Sequence, residues 1–134
     1  MTRKWAKYKE IGGREVNYSE KAIQNKIIKD LKAKGCWVMK TQGGVAGTPV
    51  GAPDIIACYK GEFLGIEVKK IGGKVSESQL IQATKIGSNN GNIYFTNDIY
   101  FDIDRPYELA RVSDMNFKNT STYYISKGFL YECI

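Results

Sequence analysis

An α/β domain with a mixed sheet covered by helices is the fold class that three features of the sequence predict. Apolar patterns follow one another in the order helix, strand, hairpin, helix, strand. Two apolar strands meet at a two-residue turn, Lys60-Gly61. The chain has 134 residues, enough for one domain with a real core.

Taken in order, residues 1–16 are basic, glycine-containing and aperiodic, and read as an arm outside the core. Periodicity predicts a helix from Asn17 to Lys34, with Ile23, Ile27, Ile28 and Leu31 as its apolar stripe and Gly35 at its stop. Cys36 to Thr41 reads as a strand, and Gln42 to Pro53 is too rich in Gly and Pro to be regular. The hairpin follows, with Ile55 to Tyr59 and Glu62 to Ile66 as its strands. Beyond a glycine turn, a second helix is expected from Ser76 to about Ile86, then a strand from Asn92 to Thr96. Asp104-Arg105-Pro106 opens a short expected helix ending near Val112. Thr120 to Ile125 and Gly128 to Cys133 read as an aromatic hairpin turning at Ser126-Lys127. Its Tyr123, Tyr124, Phe129 and Tyr131 suit core packing better than base stacking. No repeat or internal boundary divides the chain, so a single domain is expected.

Composition removes several function classes. Histidine is absent, which excludes His-dependent nucleases, Ser-His-Asp hydrolases and His-ligated zinc enzymes. The three cysteines, Cys36, Cys58 and Cys133, are scattered through apolar runs and fit buried thiols, not a disulfide framework or zinc site. No run approaches membrane-spanning length, so a soluble cytoplasmic protein is expected. Lys and Arg number 20 against 14 acids, a net charge of +6 that suits an anionic partner. Gly72-Gly73-Lys74 lacks the rest of a phosphate-binding loop, and Gly43, Gly44 and Gly47 lack dinucleotide spacing, so no nucleotide cofactor is expected.

The chemistry-bearing residues gather at the hairpin. With Lys60-Gly61 as the turn, Tyr59 pairs with Glu62, and counting outward sets Asp54 opposite Glu67. Cross-strand partners have Cβ atoms roughly 4.5 to 5.5 Å apart, where like charges repel. A shared divalent cation would account for the pair, and oxygen ligands without nearby His or Cys suit Mg²⁺ or Mn²⁺. Lys69, two residues on, falls on the same strand face. Glu20 precedes Ile23, Ile27 and Leu31 by helical steps, so it points within the apolar stripe and needs a partner. Gln79, before Ala83 and Ile86, likewise points at the sheet. Simpler roles stay open at this stage. Asn17 with Glu20, and Ser76 with Gln79, each spell a capping box. Glu67 and Lys69 could lie on a solvated strand face, and Asp54 could be a turn residue.

Gly51-Ala52-Pro53-Asp54-Ile55-Ile56, Gly61, Phe63, Ile66-Glu67-Val68-Lys69 and Gly73-Lys74-Val75-Ser76-Glu77-Ser78-Gln79 together resemble the VRR-NUC nucleases of the PD-(D/E)XK superfamily. Glu20 upstream and Gly91-Asn92-Ile93-Tyr94-Phe95 downstream keep that family's order. The likeness covers roughly residues 17–96, and it implies a restriction-endonuclease-like fold with 97–134 as a C-terminal β-hairpin extension. It also implies a metal held by Asp54, Glu67 and the carbonyl of Val68. Lys69 would position a water and steady the phosphorus, Glu20 would hold a second metal or its water, and Gln79 would orient Lys69 or touch the substrate backbone. Lys40, Lys70, Lys74 and the Gly43-Gly44 loop are the expected DNA contacts. The resemblance implies a Mg²⁺- or Mn²⁺-dependent deoxyribonuclease acting on branched DNA such as four-way junctions, and two paired cuts call for a homodimer. A non-catalytic DNA-binding module on the same fold is the alternative. A small basic interaction protein is a third reading, one that leaves the aligned acids unexplained.

Overall fold

The computed structural model describes residues 2–7, 18–43, 45–70, 73–97, 99–104, 122–126 and 129–133, and of 2–7, 122–126 and 129–133 it describes the backbone. The elements are β1 (Thr2–Lys7), α1 (Glu20–Ala33), β2 (Trp37–Lys40), β3 (Ile55–Tyr59), β4 (Glu62–Val68), β5 (Lys74–Val75), α2 (Glu77–Ser88), β6 (Asn92–Thr96), β7 (Thr122–Ser126) and β8 (Phe129–Cys133).

One sheet, ordered β2-β3-β4-β6, is mixed, with β2-β3 and β3-β4 antiparallel and β4-β6 parallel. Helices flank it, so the expected α/β architecture is the observed one. The hairpin turn is the two-residue one, Tyr59 pairing with Glu62. Lys60 and Gly61 both take positive φ, 51° and 80°, whose twist matches the flanking strands. The parallel return to β6 needs a long connection, which β5 and α2 supply.

Alternation divides the sheet into two faces. Under α1, Ile23, Ile27 and Leu31 meet Ile55, Ala57, Leu64, Ile66, Val68 and Tyr94, all buried. Phe101 and Ile103 close this core, Tyr94 and Phe101 meeting edge to face at 5.6 Å. Outside it, Lys34 pairs with Asp102 at 3.0 Å and with Asp104, which also accepts from the Tyr59 hydroxyl at 2.9 Å. These partners hold the Lys34 pKa up, Asp104 contributing most. The opposite face carries Ile93, Phe95, Gly65 and Glu67 and is covered at β6 by α2 through Leu80 and Ala83.

Helix α1 starts later than its periodicity suggests. Ser19 is the N-cap, its Oγ accepting the Ala22 N–H at 3.1 Å, so Glu20 is the first helical residue and not the third of a box begun by Asn17. Asn17 itself lies outside the described residues.

A second sheet, β1-β8-β7-β5, is antiparallel throughout. It contains the expected C-terminal hairpin, with Ser126 paired to Phe129 inside the ladder and not in the turn. It also corrects the expectation of an aperiodic arm, because Thr2–Lys7 is a strand paired to β8. Its register shifts between Lys4 and Ala6, and such an irregularity breaks the period-2 pattern by which a strand is recognised. Lys74–Val75 likewise pairs with β7 where a plain turn was expected. The helix expected from Asp104 to Val112 falls, after Asp104, outside the described residues. Among the described residues no helix is long and apolar enough to cross a membrane.

Candidate active site

Asp54 and Glu67 meet where β3 begins and β4 nears its end. The ladder runs to Ile55 opposite Ile66, and one further step sets Asp54 against Glu67. The entry to β3 is pinned from β2, since Thr41 donates its N–H to the Asp54 carbonyl at 2.9 Å and its hydroxyl to the Pro53 carbonyl at 2.6 Å. Asp54 Oδ2 accepts the Val68 N–H at 2.8 Å, which ties the carboxylate across the hairpin.

Glu67 is only 3 % exposed, which removes the solvated-face reading for it. Its pKa is pushed up to about 9, first by burial, then by the negative charge of Asp54 and a hydrogen bond shared with it. Lys69 opposes this shift and Glu20 adds to it. Glu67 therefore keeps its proton beside Asp54 unless a cation replaces it.

Gln79 reaches this corner from α2. Its Nε2 donates to Glu67 Oε1 at 2.8 Å, while its Oε1 accepts the Ser76 N–H at 2.9 Å. The Ser76 Oγ in turn accepts the Gln79 N–H at 3.2 Å, completing a capping box. The two roles that the sequence leaves as alternatives therefore coexist in one amide. Its geometry fixes which end faces Glu67, because only the oxygen can accept from Ser76. Glu20 Oε1 accepts the Lys70 N–H at 3.2 Å, joining the start of α1 to the chain just past Lys69. Lys69 is half-buried, and its own N–H donates to the Thr96 carbonyl at 2.9 Å.

The basic residues are less closely gathered. Lys40 pairs with Ile55, which pairs with Ile66, so the pleat turns it to the α1 face, away from Glu67. Lys70 and Lys74 are exposed beyond β4 and on β5. Gly43 is exposed, with open space where a Cβ would stand, and Gly44 lies outside the described residues. Sequence reasoning passed over Thr41 and quoted Gly51 within the family motif without giving it a role. Thr41 was legible in principle from the register that placed Asp54, whereas Gly51 meets a neighbour distant in sequence, the α2 amino end.

The donor set fits a hard divalent cation. Two carboxylates with a nearby backbone carbonyl suit Mg²⁺, which is held by one or two carboxylates and keeps waters and substrate oxygens as its other ligands. Among the described residues no three of His, Cys, Asp or Glu are placed to hold an ion together, so Glu20 is not gathered with Asp54 and Glu67 into one ligand set.

The family model of the archaeal Holliday junction resolvase (hjc) matches residues 19–127. No curated protein matches the chain. The match spans well over half of the sequence, and the chain belongs to that family, a PD-(D/E)XK-type nuclease family.

Proposed function

We propose that this member of the resolvase family is a metal-dependent endonuclease that hydrolyses phosphodiesters in branched DNA, four-way junctions above all. The observation that carries the reading is Glu67, buried against the half-buried Asp54, a costly arrangement for a fold unless it gathers a cation. Family membership supports the substrate class. The VRR-NUC likeness of roughly residues 17–96 belongs to the same proposal, as does a single nuclease domain with its core at about the same residues.

Asp54, Glu67 and the Val68 carbonyl would hold Mg²⁺ or Mn²⁺, with Glu20 beside them for a second ion or a bound water. The cation supplies charge for a phosphodiester oxygen and a more acidic water. Asp54 is kept in place by the Val68 N–H and Glu67 by the Gln79 amide. Lys69 stands beside the pair as the cation that orients the attacking water and offsets charge on the phosphorus. Lys70 and Lys74, both exposed, together with Lys40, Gly43 and Gly44, engage the DNA backbone.

Paired cuts in a two-fold substrate favour a homodimer. An uncharged row, Trp37, Cys58 and Phe63, supports that expectation, since the three are partners across β2, β3 and β4 and all are exposed, Cys58 against its expectation as a buried thiol. The site of action is the cytoplasm.

Incubation with linear, flap and four-way DNA in Mg²⁺, Mn²⁺ or EDTA, beside Asp54→Asn, tests the proposal. Cleavage confined to branched DNA with metal is expected. Cleavage that survives EDTA or the substitution overturns the mechanism, and metal-independent binding without cleavage favours the DNA-binding module.

A further inference from the structure

Gly51 sits at a close crossing that nothing in the motif pattern assigns a role. Its φ is +86°, a conformation that side chains rarely adopt. A Cβ there would stand 2.3 Å from both the carbonyl carbon and oxygen of Ser78 and 2.7 Å from the Gln79 nitrogen. These are backbone atoms of the first turn of α2, so no side-chain rotation relieves the collision. The loop that delivers Asp54 therefore lies directly on the peptide that delivers Gln79.

We propose that Gly51 is a positioning residue for the nuclease centre, acting through Gln79. Its bare α-carbon lets the chain just before Asp54 seat against the Ser78-Gln79 peptide, which fixes the α2 amino end at the depth where one amide spans the Ser76 N–H and Glu67 Oε1. Pushing that peptide away withdraws the Gln79 donor from Glu67 and leaves the carboxylate free to leave its metal-binding orientation. This inference rests on the reading of Asp54 and Glu67 as the metal-holding pair.

The same loop contains its own control. Gly47 also has positive φ, +92°, but a Cβ there meets nothing within 4 Å. Gly47→Ala imposes backbone strain alone, whereas Gly51→Ala adds the collision.

The test compares wild type, Gly47→Ala, Gly51→Ala, Gln79→Ala and the double variant Gly51→Ala/Gln79→Ala, measuring Mn²⁺ affinity by calorimetry and four-way DNA cleavage against Mg²⁺. Gly51→Ala should weaken Mn²⁺ binding and raise the Mg²⁺ needed for half-maximal cleavage roughly 10-fold or more, as lost support of a ligand does. Junction KM should stay unchanged, and Gly47→Ala should match wild type. The double variant should be no worse than Gln79→Ala alone. Multiplicative losses in the double variant, or equal losses in Gly47→Ala and Gly51→Ala, overturn the proposal. Should Gly51→Ala fail to fold, the unsubstituted protein decides. Nuclear Overhauser contacts from the Gly51 α-protons to the Gln79 N–H, with a Gln79 side-chain amide exchanging more slowly than that of exposed Gln42, are expected, and absence of either overturns it. Wild-type protein that binds Mn²⁺ without cutting DNA would instead refute the nuclease reading and leave the role of Gly51 to the Mn²⁺ affinities.

Discussion

The two faces of the mixed sheet solve the same packing problem with opposite tolerance for charge. Under α1 the buried polar groups are neutral, and Asn92 donates to the Phe63 carbonyl at 3.2 Å. On the α2 face Glu67 is equally buried but ionisable, beside a second acid. The first face is built for stability, while the second gives some up to hold a charged pair in a fixed place. Substitutions on the two faces should therefore separate folding from chemistry.

The largest effect is expected on the α2 face. Glu67→Gln should lower junction cleavage by about 10³-fold, the several kcal/mol that a bound cation contributes, with a folded protein remaining. Retained activity would erase the distinction between the faces. On the α1 face Ile66→Ala, at a fully buried position, should destabilise by about 2–5 kcal/mol in urea unfolding. Cleavage per folded molecule should change little. Gln79→Ala should fall between, losing roughly 10- to 100-fold in activity as supports of metal ligands do.

The comparison sharpens further with pH. In the fold Glu67 holds its proton up to about 9, whereas its usual value is 4.5. Unfolding thus releases a proton between these values, so the contribution is fully present below about 4.5 and lost as pH rises towards 9. Without divalent metal, melting temperature should decline across that window. Glu67→Gln should flatten the decline, and an unchanged slope would assign it elsewhere. Smallest of all, Lys34→Ala should lower the melting temperature only slightly, because its ion pairs to Asp102 and Asp104 stand partly in solvent.

Much of this arrangement was legible in the sequence because it rests on local rules. A two-residue turn fixes register, and register alone carried Asp54 to Glu67. Helical spacing gave the buried stripe of α1 and aimed Gln79 at the sheet. Asn92–Thr96 forms the strand expected from its composition. The losses share another cause. Thr2–Lys7 and Lys74–Val75 are strands only through partners far along the chain, and a register shift obscures the first. Lys40 looked close to the site because sequence proximity hides the pleat that turns it away. The superfamily was readable from the motif order, whereas the resolvase family required comparison over residues 19–127, beyond the segment carrying the motifs.

Mn²⁺ calorimetry on wild type, Glu67→Gln and Lys40→Ala addresses the central claim most directly. The account predicts binding in wild type and Lys40→Ala and its loss in Glu67→Gln. Equal binding by wild type and Glu67→Gln would contradict it.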